Sequence, residues 1–549
     1  MNLFVRTLKS FSTKERWVAG AFLLVFVGTL FSLIFQTLLD FNPGQSKTYT
    51  EGIVGEITHL NPVFTEFSEA DADISSLIFS GLVKYNPQKA SFDEDMATHT
   101  LSEDKLTYTF TLKNNLFWHD GTPVSTDDVY FTFAEVIQSP DFSNTLLKSN
   151  FDGVKIEASN SRTVAFTLNS PNSFFFTSLT VGLLPKHLLG GIPVADLDED
   201  EFNKFPIGTG PYKVEEAYTL NEDGSSTVTL TANEDYYGDT ASLKKIRFVA
   251  YPTITDLIEN RSTWHGAARI KASSLEEMDL TDLTPYEYEL PQYTALFFNT
   301  DAPFLTRNKE RLGLAKAIDK EAIITAIGGG AQIDTPLLEL DQEEWINKWN
   351  KEEAMGALFD AGWEWTEGDE FRSNEEGTVL SLRLLRRDFS TTNPPQEEVT
   401  EKTAELIKEQ LASVGIQVQI EAYPMEELSQ KILARDYDML LYGQSLGYNL
   451  DTFAYWHSSQ ATETGFNLSN YQNPSADLLI EKIRGSFDSS EREDLLKKLA
   501  STIAEDIPAV FLYSPTFYYV VDSKVTGIEY RKLLLPKDRL VNITEWDFN

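Results

Sequence analysis

The stretch that decides the fold is residues 106–133, which read LTYTFTLKNNLFWHDGTPVSTDDVYFTF. It opens with apolar residues that alternate with threonines, and this period of two is typical of a β-strand with one face on a core. Turn-forming residues follow from Asn114 to Pro123. Ser125 then stands where a helix N-cap is expected, and Asp127 and Asp128 suit the positive end of the helix dipole. The stretch therefore predicts a strand, a turn and a helix in succession.

The length of the chain and the strand and helix patterns along the rest of it predict an α/β protein. A chain of 549 residues is longer than one hydrophobic core can serve, so two or more lobes are expected. Apolar residues at helical spacing from Val399 to Leu411 precede Gly415, which suits a left-handed helix cap, and an alternating strand from Ile416 to Ile420. Two further helices, and an apolar run that can return the chain to its first lobe, are predicted at 351–361, 491–504 and 509–521.

The composition excludes several classes of function. The formal net charge is -38, and so acidic a surface repels phosphate backbones, so nucleic acid is not an expected partner. The chain has no cysteine, which excludes disulfides, thiolate metal sites, cysteine nucleophiles and lipid attachment through cysteine. Its 6 histidines are scattered without H-x-x-x-H spacing. No metal site and no cofactor are therefore predicted.

An N-terminal apolar segment, Trp17 to Leu39, is long enough to cross a membrane. As a helix it would span about 34 Å, against a hydrocarbon core of about 30 Å. A cleavable signal peptide is the alternative, but its apolar part usually has about 7 to 15 residues and ends in a small-residue cleavage site, which this segment lacks. Basic residues in the tail 1–16 favour a cytoplasmic N-terminus and an extracytoplasmic bulk. Asn, Pro, Gly and Ser after the apolar segment predict a linker at 40–48. We therefore expect a single-pass protein of the cell membrane.

The fold-deciding stretch resembles the signature of the family 5 solute-binding proteins of ABC importers, the group of oligopeptide, dipeptide and nickel binders. Segments similar to that family follow in its order, with PIGTGPYK at 206–213, FNT at 298–300, AKAIDK at 315–320 and DYDMLLY at 436–442. The resemblance implies a two-lobed, periplasmic-binding-protein-like α/β fold of type II, in the large class with an extra subdomain. It assigns lobe I to 49–275 and 510–549 and lobe II to 276–509.

The resemblance also implies a mode of action and partners. The lobes would close over a small solute, a peptide or peptide-like compound, because contacts made to both lobes exist only in the closed state. An ABC permease and its ATPase would then receive the solute, in a bacterial membrane. The same fold could instead act as a ligand sensor or surface binding protein without a transporter, and the sequence leaves both possibilities open.

Residues 443–447, GQSLG, also match the G-x-S-x-G nucleophile elbow of serine hydrolases and follow a predicted strand. A hydrolase would need an acid and then a histidine downstream, separated by further elements of the fold. The only later histidine is His457, which follows Ser445 closely with Asp451 between them. Because this spacing leaves no room for those elements, we predict no catalytic residue and no enzyme.

In the family resemblance the same segment lies at the ligand cleft, where Gly443 and Gly447 would let the backbone approach the ligand. Peptide binders of the family usually carry an aromatic residue just after the first glycine and an aspartate a few residues on, which pairs with the amino terminus of the peptide. This chain departs from that pattern, with Gln444 and Gly447 at those places. The candidate ligand-binding residues are Glu69, Asp71, Tyr442, Gly443, Gln444, Ser445, Leu446, Tyr448, Asp451, Phe517 and Tyr518.

Overall fold

The structure is a computed structural model, and it describes residues 48–65, 68–342, 348–366, 368–390, 394–463 and 465–548. The predicted cytoplasmic tail 1–16, the membrane helix 17–39 and the linker 40–48 apart from Thr48 lie outside the described residues. Within the ranges given, no helix combines the length and the apolar character needed to cross a membrane.

The strands are defined by the backbone ladder and are numbered along the chain. They are β1 (Thr48–Val54), β2 (Val83–Asn86), β3 (Ser91–Glu94), β4 (Ala97–Leu101), β5 (Thr107–Leu112), β6 (Lys155–Asn160), β7 (Thr163–Thr167), β8 (Tyr212–Leu220), β9 (Ser226–Ala232), β10 (Lys245–Tyr251), β11 (Gly266–Ile270), β12 (Leu283–Glu289), β13 (Gln292–Phe298), β14 (Ala331–Gln332), β15 (Ser381–Arg387), β16 (Gln417–Tyr423), β17 (Met439–Ser445), β18 (Ala509–Ser514), β19 (Thr516–Asp522), β20 (Val525–Thr526) and β21 (Asp547–Phe548).

Two mixed sheets form the framework. The first has the strand order β12-β19-β11-β1-β10-β9-β8, and the second has the order β14-β18-β13-β17-β15-β16. In the first sheet β1 lies parallel to β10 and β11, whereas in the second β15 lies parallel to β16 and β17. A separate antiparallel sheet has the order β4-β5-β7-β6, and β2–β3 and β20–β21 pair alone. The predicted α/β architecture is confirmed.

The α-helices cover the faces of these sheets and are also numbered along the chain. They are α1 (Glu69–Ile78), α2 (Thr126–Tyr130), α3 (Thr145–Ser149), α4 (Lys186–Leu189), α5 (Ile254–Glu259), α6 (Ala272–Leu275), α7 (Asn308–Ala317), α8 (Lys320–Ala326), α9 (Lys351–Asp360), α10 (Pro394–Ala412), α11 (Met425–Leu433), α12 (Phe453–Trp456), α13 (Pro474–Gly485) and α14 (Ser489–Asp506). A π-helical segment follows α2 at Phe131–Ile137, and 3-10 turns lie at Phe175–Thr180, Val194–Asp196, Glu201–Asn203, Arg261–Thr263, Ser458–Gln460, Pro536–Leu540 and Ile543–Glu545.

The fold-deciding stretch forms the elements that its pattern predicts. In β5 the apolar residues are buried and the threonines between them are more exposed. Ser125 caps α2 by accepting from the Asp127 N–H at 3.2 Å, while the Ser125 N–H donates to Asp128 Oδ2 at 2.9 Å. This capping box satisfies backbone donors that the first helical turn leaves free. Local chemistry alone therefore accounts for the strand, the turn and the helix start.

The glycines of the segment 206–213 allow the chain to press against the end of α1. A Cβ atom at Gly208 would lie 1.9 Å from the Ile78 carbonyl oxygen, and one at Gly210 would lie 2.4 Å from the Leu77 carbonyl oxygen. No side chain fits at either distance, so glycine is required at both positions. His119 joins the two motifs, because its Nδ1 accepts from the Gly208 N–H at 3.2 Å.

The second sheet is covered on both faces. Along β13, Leu296 and Phe298 pack into one buried cluster with α7, α9 and α10, while Ala295 and Phe297 pack into another with α13 and α14. This alternation follows from the period of two in a strand. Burial on both faces explains why β13, β17 and β18 are almost continuously apolar.

The chain passes between the two sheets twice. β12 belongs to the first sheet and β13 to the second, so the first passage lies at Leu290–Pro291. β18 belongs to the second sheet and β19 to the first, so the return lies at Pro515. The boundary expected at 275/276 groups β12 of the first sheet with lobe II, and the one expected at 509/510 groups nearly all of β18 of the second sheet with lobe I. The run 509–521, which is expected to return the chain to the first lobe, supplies β18 to the second sheet and most of β19 to the first.

Candidate functional site

A cavity of about 660 Å³ lies between the elements of the first sheet and those of the second. One wall is formed by α1 and by the turn Pro536–Leu540, and the other by the end of β17 and the loop that follows it. Glu69, Ser445, Leu446, Tyr448 and Asp451 are the predicted site residues that line this cavity. A cavity of this volume, with walls from both halves of the fold, is suited to a small solute.

The first wall is held in place by the caps of α1. Ser68 caps the helix by accepting from the Asp71 N–H at 3.1 Å. Asp71 itself is buried beneath the helix, where its carboxylate accepts from the Thr58 N–H at 2.9 Å and from the His59 N–H at 3.0 Å. Asp71 therefore anchors a loop and lies in the wall of a second cavity, of about 630 Å³, rather than in the interlobe one.

The second wall follows from the pairing of β17 with β13. Tyr293 donates a hydrogen bond to Gln444 Oε1, which turns the Gln444 side chain into the protein interior. Ser445 is exposed to the cavity, and the Leu446 N–H donates to the Pro291 carbonyl oxygen at 2.8 Å. Gly447 then adopts a φ of +54°, in the left-handed region that favours glycine. The loop is thereby bent so that Tyr448 lies against the first wall.

Tyr448 joins the two walls. Its hydroxyl donates a hydrogen bond to Asp538 Oδ1, and its ring lies 5.7 Å from the ring of Tyr85 and 5.6 Å from that of Phe92. Beside it, Asn449 Nδ2 donates to Asn150 Oδ1 at 3.1 Å. These contacts link the loop after β17 to the first half of the fold.

Burial controls the charge of Asp538. It raises the pKa of this carboxyl to about 6, although the hydrogen bonds from Tyr448 and from the Leu534 and Leu535 N–H groups act in the opposite direction. Both N–H groups donate to Oδ2, at 2.9 Å and 2.7 Å. The carboxyl is therefore fully satisfied by donors of the protein.

A buried ion cluster lies beneath the cavity. Arg539 Nη2 is 2.7 Å from Glu51 Oε1 and 2.7 Å from Asp73 Oδ2. Arg269 Nη2 is 2.8 Å from Asp73 Oδ2, and Arg269 Nε is 2.5 Å from Glu69 Oε2. Burial alone would raise the pKa of Asp73, but Arg269 and Arg539 outweigh it and hold that pKa below its usual value. The cluster ties α1 to β1, β11 and the C-terminal segment.

Asp451 lines the cavity but already has a partner. It is 7% exposed, and its Oδ2 lies 2.8 Å from Arg484 Nε. Its Oδ1 also accepts from the Phe453 N–H at 3.0 Å. The carboxylate is thus engaged by the protein and is not free to pair with a ligand ammonium.

The remaining predicted residues do not line this cavity. Tyr442 packs beside the buried cluster behind β17, and Gly443 pairs with Thr294 in the ladder. Phe517 stacks on Tyr288 with ring centroids 6.0 Å apart, and Tyr518 donates to Glu287 Oε2 at 3.1 Å. In the β12–β19 ladder Phe517 lies opposite Tyr288 and Tyr518 lies opposite Glu287, so each contacts its cross-strand partner.

Among the described residues, His457 makes no hydrogen bond to Ser445 or to Asp451, as a catalytic triad would require. His457 Nδ1 lies 2.9 Å from Ser459 Oγ, and its Nε2 is 3.6 Å from Glu481 Oε1. Asp451 pairs with Arg484, as described. The histidine and the aspartate that a triad would need are thus engaged with other residues.

Charged residues of the C-terminal segment and of the first wall line the cavity but were not predicted. They are Asp73, Lys84, Asp95, Arg269, Lys537 and Asp538. The only local signal is the polar run Lys537-Asp538-Arg539 inside an otherwise apolar segment from Leu533 to Val541. Buried charges in such a segment indicate paired or functional groups.

Comparison with known proteins places this site in context. Residues 92–466, more than half of the chain, match the sequence family described as bacterial extracellular solute-binding proteins, family 5 Middle. The oligopeptide-binding protein AppA of Bacillus subtilis is 27% identical over 527 residues, which cover 92% of each chain. The dipeptide-binding protein of Escherichia coli is 24% identical over 531 residues, covering 88% of this chain and 92% of that protein.

Solved structures have the same fold over nearly the whole chain. AppA of Bacillus subtilis, in complex with a nonapeptide, has a TM-score of 0.73 at 25% identity and covers 92% of this chain and 100% of its own. NikZ of Campylobacter jejuni, in complex with Ni(L-His), has a TM-score of 0.74 at 26% identity and covers 91% of this chain and 99% of its own. The predicted two-lobed periplasmic-binding-protein fold is confirmed.

Proposed function

Since this chain belongs to the family 5 bacterial extracellular solute-binding proteins, we propose that it captures a small solute in the cavity between its two sheets and delivers it to an ABC importer. The observation that carries this proposal is the cavity of about 660 Å³ whose walls come from both halves of the fold. The predicted permease and ATPase partners follow from the same family membership.

The mechanism is a shift between open and closed states. A solute that contacts both walls gains those contacts only in the closed state, so it stabilises closure by its differential affinity for the two states. The bond between Tyr448 and Asp538 acts together with the solute, because it also joins the walls. No bond of the solute is made or broken, so the protein acts by binding and not by catalysis.

The solute is a peptide or a peptide-like compound. Two proteins that this chain resembles over most of its length are an oligopeptide-binding protein and a dipeptide-binding protein, which supports this class of ligand. The departure at Gln444 and Gly447, together with the pairing of Asp451 with Arg484, argues against a grip on the free amino terminus. We therefore expect recognition through other parts of the solute.

The chain is further proposed to be anchored in the cell membrane by residues 17–39, with its bulk extracytoplasmic. The support is the length of the apolar run and the basic residues before it. Protease added to intact cells is expected to release a fragment of nearly full length. A mature protein that begins near residue 40 would contradict the anchor.

We propose the lobe boundaries at the two passages between sheets. Lobe I then comprises 48–290 and 516–548, and lobe II comprises 291–515, which keeps every strand with its own sheet.

Isothermal titration calorimetry tests the site. The purified extracytoplasmic chain is titrated with peptides of graded length, in the wild type and in Ser445→Trp, which places a large side chain in the cavity wall. We expect one solute per chain for the wild type and loss of binding in Ser445→Trp. Ser490→Trp, at an exposed position of α14 away from the cavity, is the matched control and is expected to bind as the wild type does. Equal binding by Ser445→Trp would show that the solute binds elsewhere.

A further inference from the structure

The ammonium group of Lys537 differs from the other charged groups of the cavity in its partners. Lys537 is half-buried in the turn Pro536–Leu540 and lines the cavity. Among the described residues, no carboxylate oxygen lies within 4.0 Å of its Nζ. Its contact is with the ring of Tyr448, whose centroid is 5.4 Å away. An aromatic ring attracts a cation but does not neutralise it.

The other charged side chains that line the cavity have partners within the protein. Arg269 pairs with Glu69 and Asp73. Lys84 Nζ lies 3.6 Å from Asp95 Oδ1, and Asp451 pairs with Arg484. Asp538 accepts from Tyr448 and from two backbone N–H groups. Among the described residues, Lys537 is therefore the one charged residue of the cavity lining with neither an ion-pair partner nor a hydrogen-bond partner for its charged group.

Such a cation is costly in a closed cavity. Burial lowers the pKa of Lys537, although the carboxylates of Asp538 and Asp73 act in the opposite direction. Removing an ammonium from water is unfavourable unless an opposite charge and hydrogen-bond acceptors replace the water. An anionic group brought by the solute would supply both, in the closed state where they are needed.

We propose that Lys537 binds a carboxylate of the solute in the interlobe cavity. This inference rests on the proposed function and adds the charge of the group that is recognised. The carboxylate can be the C-terminus of a peptide or an acidic side chain, and the two sources present the same chemistry to the ammonium. The position of Lys537 beside Tyr448 couples this contact to closure, because Tyr448 joins the walls.

Calorimetry with matched peptides tests the proposal. The probes are tetraalanine, tetraalanine amide, and Ala-Glu-Ala-Ala amide, whose only carboxylate is on the side chain. The wild type is expected to bind tetraalanine about 10- to 100-fold more tightly than its amide, the range of a charge-assisted contact. Tight binding of Ala-Glu-Ala-Ala amide would identify a side-chain carboxylate as the partner instead. In either case Lys537→Met is expected to abolish the preference, and Lys537→Arg to retain part of it.

Two controls separate a lost contact from a lost fold. Lys524→Met changes the same residue type at an exposed position outside the cavity and is expected to keep the preference. Thermal melting and circular dichroism of Lys537→Met should match the wild type, because methionine keeps most of the apolar stem. A preference that persists in a folded Lys537→Met overturns the proposal.

The outcome also separates this inference from the proposed function. Equal binding of tetraalanine and both amides by the wild type overturns the carboxylate contact and leaves solute capture intact. If none of the probes binds, the proposal is tested by mass spectrometry of the solute released from the purified protein. A released solute that carries a carboxylate, and that Lys537→Met fails to retain, supports the proposal. A solute without an anionic group overturns it, and no solute at all overturns both.

Discussion

Removing the hydroxyl of Tyr448 is expected to weaken closure of the two lobes. Tyr448→Phe deletes the hydrogen bond to Asp538 and keeps the ring that packs on Tyr85 and Phe92. Asp538 would not be orphaned, because the Leu534 and Leu535 N–H groups still donate to it. The substitution therefore removes one interaction between the walls with little change to either wall.

The size of the effect follows from the charge of the acceptor. A hydrogen bond to a charged group contributes about 1.5 to 3 kcal/mol. Because two donors to Asp538 remain, we expect the lower end of this range. The loss falls on the closed state alone, since in the open state water solvates both groups. Solute affinity should then fall about tenfold.

Calorimetry with the bound solute and small-angle X-ray scattering together measure this effect. The calorimetric affinity should fall, and more solute should be needed to reduce the radius of gyration. Tyr518→Phe is the matched control, because the Tyr518 hydroxyl binds Glu287 away from the cavity. It should leave both measurements unchanged. Wild-type affinity and closure in Tyr448→Phe, or an equal loss in Tyr518→Phe, would refute the reasoning.

Three further predictions concern single groups of the site. The folded pKa of Asp538, about 6, lies above its unfolded value of about 3.9, so its stabilisation is present below pH 4 and is lost as the pH rises through 6. In urea unfolding, the wild type should lose about 2 kcal/mol more between pH 4 and pH 7 than Asp538→Asn; parallel curves would contradict this. Ser445→Ala should bind solute with a free energy within about 1 kcal/mol of the wild-type value. A fluorophosphonate should not label Ser445, and stoichiometric labelling would support the serine hydrolase instead. Acetylation of the amino terminus of a bound peptide should change its affinity less than about threefold by calorimetry, because Asp451 already pairs with Arg484. If binding is lost both on acetylation and in Asp451→Asn, then Asp451 binds the amino terminus of the peptide.

The parts of the fold that depend on local chemistry could be predicted from the sequence. The alternation in β5, the capping box at Ser125 and the left-handed Gly415 with a φ of +84° each depend on a few neighbouring residues. The passages between sheets could not be predicted in this way. The sheet to which β12 belongs depends on its pairing with β19, which lies more than two hundred residues farther along the chain.

Only part of the candidate site could be predicted from the sequence. Ser445, Leu446 and Tyr448 were predicted because the family resemblance implies that the segment leaving this strand lies at the ligand cleft. Asp538 was missed because its contact with Tyr448 joins residues 90 positions apart. Phe517 and Tyr518 were predicted as cleft residues, but the pairing of β19 with β12 directs them to Tyr288 and Glu287.

Native mass spectrometry of the purified protein tests the central claim, that the chain holds one small solute between its lobes and leaves it unchanged. The solute is released by denaturation, identified, and added back to stripped protein. We expect one solute per chain, the same solute mass after prolonged incubation, and no retention by Ser445→Trp. A change in the mass of the solute during incubation, or equal retention by Ser445→Trp, would contradict it.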